Sequence, residues 1–100
     1  LGHWIVAYKV KFSVSSLKDL KSIQEYICEN NKKAAKEVVA HIIEKIETVI
    51  VPNPSAGRAG RVLSTRELVI SKYPYIVPYQ VRGDVIYILR VLHTSRKWEL

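Results

Sequence analysis

Arg90, His93, Arg96, Lys97 and Trp98 fall within nine positions and carry most of the chain's capacity for acid–base and phosphate chemistry. Arg66, Tyr75 and Tyr79 lie on segments that read as neighbouring strands. Cleaving RNA through an attacking 2′-hydroxyl needs a base, an acid and a cation for the charge that develops on phosphate. His93 can act as acid or base, Arg96 or Arg66 can hold the phosphate, and a tyrosine can stack on a base. The same types also suit a structural part: a histidine at a strand end, aromatic residues in a small sheet, and a basic terminal segment are all ordinary.

Other candidate chemistry is sparse. His3, His41 and His93 are scattered and Cys28 stands alone, so no ligand pair has zinc spacing and no metal or cofactor is expected. Cys28 follows Ile27 near the end of a helical pattern and reads as a small core residue. Arg82-Gly83-Asp84 spells an adhesion tripeptide, but Gly-Asp between two apolar runs is first a hairpin turn. Gly57-Arg58-Ala59-Gly60-Arg61 is a flexible basic loop whose glycines let amides approach an anion. No Gly-Lys-Ser/Thr follows, so it is not a P-loop.

The elements that must position these residues follow from periodicity. Tyr8, Val10 and Phe12 alternate with Lys9 and Lys11, which predicts a half-buried strand beginning near Ile5. Leu17, Leu20, Ile23 and Ile27 recur at helical spacing, so a first helix is expected over 17–29, with Ser16 and Asp19 as a capping box. Asn31 can cap a second helix, whose stripe runs from Ala35 through Val38, Val39, Ile42, Ile46 and Val49 to Ile50 before Pro52 stops it. The segment 52–60 is a loop. Strands are expected at Arg61–Leu63, Thr65–Ile70, Tyr75–Val81 and Val85–Leu92. Pro78 marks an edge or a bulge. Val85–Leu92 is apolar on both faces except at Arg90, as in a central strand covered by the helix pair on one side and by a partner on the other. The fold class is therefore α+β: an N-terminal strand, an antiparallel helix hairpin, then three or four mainly antiparallel strands.

The 100 residues carry 16 Lys+Arg against 9 Asp+Glu, a formal charge of +7, with 48% hydrophobic residues. One domain spanning 1–100 is expected. The apolar fraction excludes disorder, and the single cysteine excludes a disulfide scaffold. No apolar run approaches the roughly 18 residues of a membrane span. Every arginine lies in residues 51–100, where six Arg and two Lys face three acids, a net of +5. Arginine's planar fork grips phosphate or carboxylate, so a recognition surface belongs in this half. No basic leader segment is readable, and with one free cysteine we expect the cytoplasm. The chain has no Met, so Leu1 is not an encoded start.

Several words in fixed order then resemble the RelE/ParE toxins of bacterial type II toxin–antitoxin modules. They are Asp19-Leu20-Lys21-Ser22-Ile23 with Tyr26-Ile27 and Asn30-Asn31-Lys32-Lys33-Ala34-Ala35. Gly57-Arg58-Ala59-Gly60-Arg61-Val62 and Thr65-Arg66-Glu67-Leu68-Val69 follow. The last are Pro74-Tyr75-Ile76-Val77-Pro78-Tyr79-Gln80-Val81, Ile88-Leu89-Arg90-Val91-Leu92-His93 and Arg96-Lys97-Trp98. The resemblance covers Tyr8 to Trp98. It implies a helix hairpin on a mainly antiparallel sheet, and a cognate antitoxin, often acidic, that wraps the toxin with helices and an extended segment. RelE-like members cleave mRNA on the ribosome, whereas ParE-like members poison DNA gyrase and are not nucleases. Arg90-Val91-Leu92-His93 looks like the ParE-type strand ending. The RelE-type ending, a glycine and basic run leading to a terminal tyrosine, is absent, since no Tyr follows Tyr87. The reading is gyrase inhibition, with target contacts at Arg58, Arg61, Arg66, Tyr79, Arg90, Arg96, Lys97 and Trp98. The alternative is ribosome-dependent mRNA cleavage with His93, Arg96 and Arg66 as catalytic residues.

Overall fold

The structure, a computed structural model, describes residues 8–95. Arg96, Lys97 and Trp98 therefore lie outside the described residues. Strand β1 (Lys9–Phe12) leads into helices α1 (Val14–Cys28) and α2 (Lys32–Lys45), and α2 ends in one π-helical turn, Ile46–Ile50. A 3₁₀ turn, Pro54–Ala56, precedes strands β2 (Arg58–Ala59), β3 (Arg66–Ile70), β4 (Tyr75–Arg82), β5 (Val85–Ile88) and β6 (Leu92–His93). The strands form one sheet in the order β1-β5-β4-β3-β2, with β6 also on β4. Only β1 is parallel to its neighbour, pairing Lys9–Phe12 with Val85–Ile88.

Alternation divides the sheet into two faces. Leu68, Ile70, Tyr75, Val77, Tyr79, Ile86 and Ile88 point toward the helices, where Leu20, Val38, Ile42, Ile46 and Ile50 cover them. On the back face Ile76 and Leu92 form a smaller cluster, against which Val62 and Leu89 pack.

Both helices start on side-chain caps that take a free N–H of the first turn. Asn31 Oδ1 accepts from Ala34 N at 3.1 Å, as expected for α2. The first helix differs from expectation. Its cap is Ser13, whose Oγ accepts from Ser16 N at 3.0 Å and donates to Leu89 O at 2.8 Å. Ser16 is fully buried inside the helix, and the Asp19 carboxylate serves the sheet instead of the cap.

Two strand expectations also change. Arg61–Leu63 is no strand but part of the turn into β3, in which Ser64 takes the left-handed φ of 66°. Val85–Leu92 is split into β5 and β6 by a bulge: Leu89 N and Arg90 N both donate to Pro78 O, at 2.9 and 3.5 Å. Pro78 itself lies in the inner strand β4, opposite Glu67 of β3. Its carbonyl points to the bulge, so its missing N–H removes no bond to β3. Arg82-Gly83-Asp84-Val85 is the β4–β5 hairpin, with Gly83 at φ 58°.

Candidate functional site

The loop between α2 and β3 is held from both faces of the sheet. Arg66 and Tyr79 are register partners on β3 and β4 and project to the same side. Tyr79 is fully buried; its phenol donates to Pro54 O at 2.7 Å and accepts from Gly57 N at 2.8 Å. Arg66 Nη1 donates to Gly57 O at 2.9 Å and to Ser55 O at 3.3 Å. A side chain on Gly57 would collide with the Tyr79 phenol, which explains the glycine. On the other face Glu67 is 1% exposed, and its carboxylate accepts from Arg58 Nε and Nη2 at 3.2 and 3.0 Å and from Arg61 N at 3.2 Å. Arg58 and Arg61 are thus half-solvated cations anchored on a buried carboxylate.

His93 lies elsewhere, in an open groove of about 580 Å³ between α1 and β6 lined by Asp19, Ser22, Ile23, Tyr26, Tyr75 and Ser95. Its ring stands edge-on to Tyr75 at 5.7 Å. Ser95 N donates to His93 Nδ1 at 3.2 Å. A backbone amide can only donate, so the neutral ring carries its proton on Nε2. Burial first, then the neighbouring Tyr26, raises the Tyr75 phenol above its ordinary value. Arg90 does not face this groove as a free cation. Its Nε and Nη2 grip Asp19 Oδ2 and Oδ1 at 2.7 and 3.0 Å, and Val91 N adds a third bond to Asp19 Oδ2 at 3.0 Å.

Of the catalytic set read from sequence, the fold holds Arg66 and His93 apart, and Arg96 lies outside the described residues. His93 pairs with Tyr75 and Arg66 with Tyr79, from opposite sides of β4. Four residues along a strand and two strand spacings separate their Cα atoms by about 16 Å. Proton and phosphate chemistry needs its partners within hydrogen-bond reach. Tyr79 is enclosed and cannot stack on a base or touch a target. Arg90 is committed to Asp19. Glu67, Asp19 and Tyr26 were not among the expected site residues; an acid inside an apolar strand, as in Leu68-Val69 after Glu67, was the one readable signal.

The family model for the ParE toxin of the type II toxin–antitoxin system parDE matches residues 10–98. The chain belongs to the ParE toxin family. This member is 38% identical over 90 residues to Y4kP of Sinorhizobium fredii, a protein named by inference as a toxin, covering 90% of this chain and 92% of that one. Its fold matches a chain of the chromosomal ParDE system of P. aeruginosa with a TM-score of 0.78 and 27% identity, covering 89% of this chain and 98% of that one. A chain of the RelBE2 complex of Mycobacterium tuberculosis matches with a TM-score of 0.67 at 20% identity, covering 88% and 99%. One from the E. coli RelBE complex matches at 0.56 and 17%, covering 90% and 100%. The latter two share the fold. The ParE-family chain is thus the toxin of a type II toxin–antitoxin system, and the α+β architecture expected from its sequence is the one observed.

Proposed function

We propose that this ParE-family toxin arrests growth by binding and inhibiting DNA gyrase, without cleaving nucleic acid, and that a cognate antitoxin neutralises it. The observation that carries the reading is the separation of Arg66 from His93, each bonded within its own part of the fold. A binding inhibitor needs no such assembly. It needs a rigid contact surface, and the loop 57–63 supplies one. Arg58 and Arg61 are half-exposed there, Leu63 is 91% exposed, and Tyr79, Arg66 and Glu67 fix the backbone beneath them. Preorganisation of this kind lowers the ordering cost of binding. Arg96, Lys97 and Trp98, outside the described residues, are proposed as further target contacts on their residue types alone.

Ribosome-dependent mRNA cleavage keeps one supporting observation: the His93 ring is exposed in an open groove beside the hydroxyl-bearing Ser22, Tyr26 and Tyr75. The two readings separate in one experiment. The purified toxin is added to gyrase with supercoiled plasmid, and in parallel to translating ribosomes with a defined mRNA. Gyrase inhibition or trapped cleavage with intact mRNA is expected. His93→Ala should retain that inhibition within about two-fold, whereas Arg58→Glu with Arg61→Glu should weaken it about ten-fold or more. Codon-phased mRNA cuts that disappear in His93→Ala would overturn the proposal.

A further inference from the structure

A second groove, of about 330 Å³, lies between α2 and the end of β3. His41 and Lys45 stand one turn apart on the wall that α2 provides, since helical positions four apart share a face, and Val49 follows them in the π-helical turn. Leu68 of β3, with Ser71 and Lys72 of the turn after it, makes the other wall. Among the described residues no Asp, Glu or Arg lines this groove.

The Tyr73 ring orders the basic end of the groove. Lys72 Nζ lies over it at 5.6 Å, and the His41 ring stands nearly perpendicular to it at 5.3 Å. An aromatic face attracts a cation, so Lys72 is held on this side of its turn. His41 is half-buried, yet neither of its ring nitrogens has a hydrogen-bond partner among the described residues. Lys45 and Lys72 likewise form no ion pair among them, although Glu44 is adjacent to Lys45 in sequence. Three basic groups and the Ser71 hydroxyl therefore share one space with no described protein anion to neutralise them. Polar groups brought together and left unanswered by the chain point to a ligand.

We infer that this groove binds a phosphate group, carried by an ester whose organic body rests on Val49 and Leu68. Lys45 and Lys72 supply point charges from opposite walls, His41 a ring donor and Ser71 a hydroxyl donor. An anion beside an imidazole favours its protonated form, so the ligand would recruit the third charge itself. Separate donors on different sides suit the several oxygens of a tetrahedral phosphate. A planar carboxylate is better matched by the arginine fork, which this groove lacks. A free nucleotide and a DNA backbone present the same group. The inference goes beyond the gyrase reading and does not depend on it, since it uses neither the loop 57–63 nor the His93 groove.

The test titrates the full chain with inorganic phosphate, with AMP and with a short DNA duplex at one fixed ionic strength, and reads amide chemical shifts by residue. Saturable binding is expected, with the shifts centred on His41, Lys45, Ser71 and Lys72, and AMP should bind about three-fold or more tightly than phosphate because its body covers Val49 and Leu68. Lys45→Gln with Lys72→Gln should weaken phosphate binding about ten-fold, and His41→Gln about three-fold. Lys33→Gln with Lys36→Gln removes the same charge from exposed positions of α2 and should change binding by about two-fold or less. Unfolding midpoints of the two double variants should match the wild type, which separates loss of the ligand from loss of the fold. A duplex that binds the same amides more tightly than AMP names the DNA backbone as the source, and the reverse order names a free ester; either result supports the phosphate site. No saturable binding, shifts centred elsewhere, equal losses in the two double variants, or tighter binding of acetate than of phosphate would overturn the inference. Gyrase inhibition by the same variants is scored separately, so the two proposals fail independently.

Discussion

The Tyr79 phenol uses a single oxygen to join the loop to the sheet, as donor to Pro54 O and acceptor from Gly57 N. Tyr79→Phe keeps the ring packing and strands two backbone groups, so it should cost about 1–3 kcal/mol in chemical unfolding. Burial raises this phenol above its ordinary value, outweighing the Gly57 amide and the Arg66 guanidinium, which both lower it. The sign of the pH effect follows. A group that holds its proton more tightly when folded gives full stability below its unfolded value, and loses it as pH rises from about 10 through the folded value. Stability measured across that alkaline window should fall for the native chain, together with the rise of phenolate absorbance. The fall should be shallower in Tyr79→Phe, with Tyr75, whose phenol is also raised, supplying the remainder.

At the scale of elements, the bulge at Leu89–Arg90 is where α1 is fastened to the sheet. Ser13 caps α1 and bonds to Leu89 O, and one turn later Asp19 takes both Arg90 and Val91 N. Charge-assisted, bidentate contacts of this type are the strong ones. Asp19→Asn keeps the shape but discards the charge, and should destabilise the chain by about 1–3 kcal/mol, with faster amide exchange at Val91 than in α2. None of this was legible locally. A serine, an aspartate and an arginine 71 positions apart carry no period that links them, so Asp19 read as half of a capping box. The strand 85–92 read as unbroken because all its residues but Arg90 are apolar, and apolarity does not reveal where pairing shifts. Helix α2 was readable from Asn31 onward because cap, stripe and stop all lie within its own segment. The same contrast holds for the candidate site: its residues could be named from type, but which of them share a surface depended on the register of β3 and β6 against β4.

The whole molecule carries a formal charge of +7: Lys9, Lys11 and Arg82 share one face away from the acids, and Arg58 and Arg61, anchored on Glu67, stay half-exposed on the loop. Encounter with acidic partners should therefore be electrostatically steered. Stopped-flow association with gyrase or an acidic peptide should slow about ten-fold between low and physiological salt, with dissociation nearly unchanged. The parallel pairing of β1 with β5 has one further consequence, for the protein during its own synthesis. Lys9 finds its sheet neighbour only at Val85, 76 residues later. At typical elongation rates that interval is roughly 4–15 s, during which β1 lacks the strand it pairs with, although β3 and β4 are made before it ends. The fold is therefore complete only when β5 joins the first strand to the rest of the sheet.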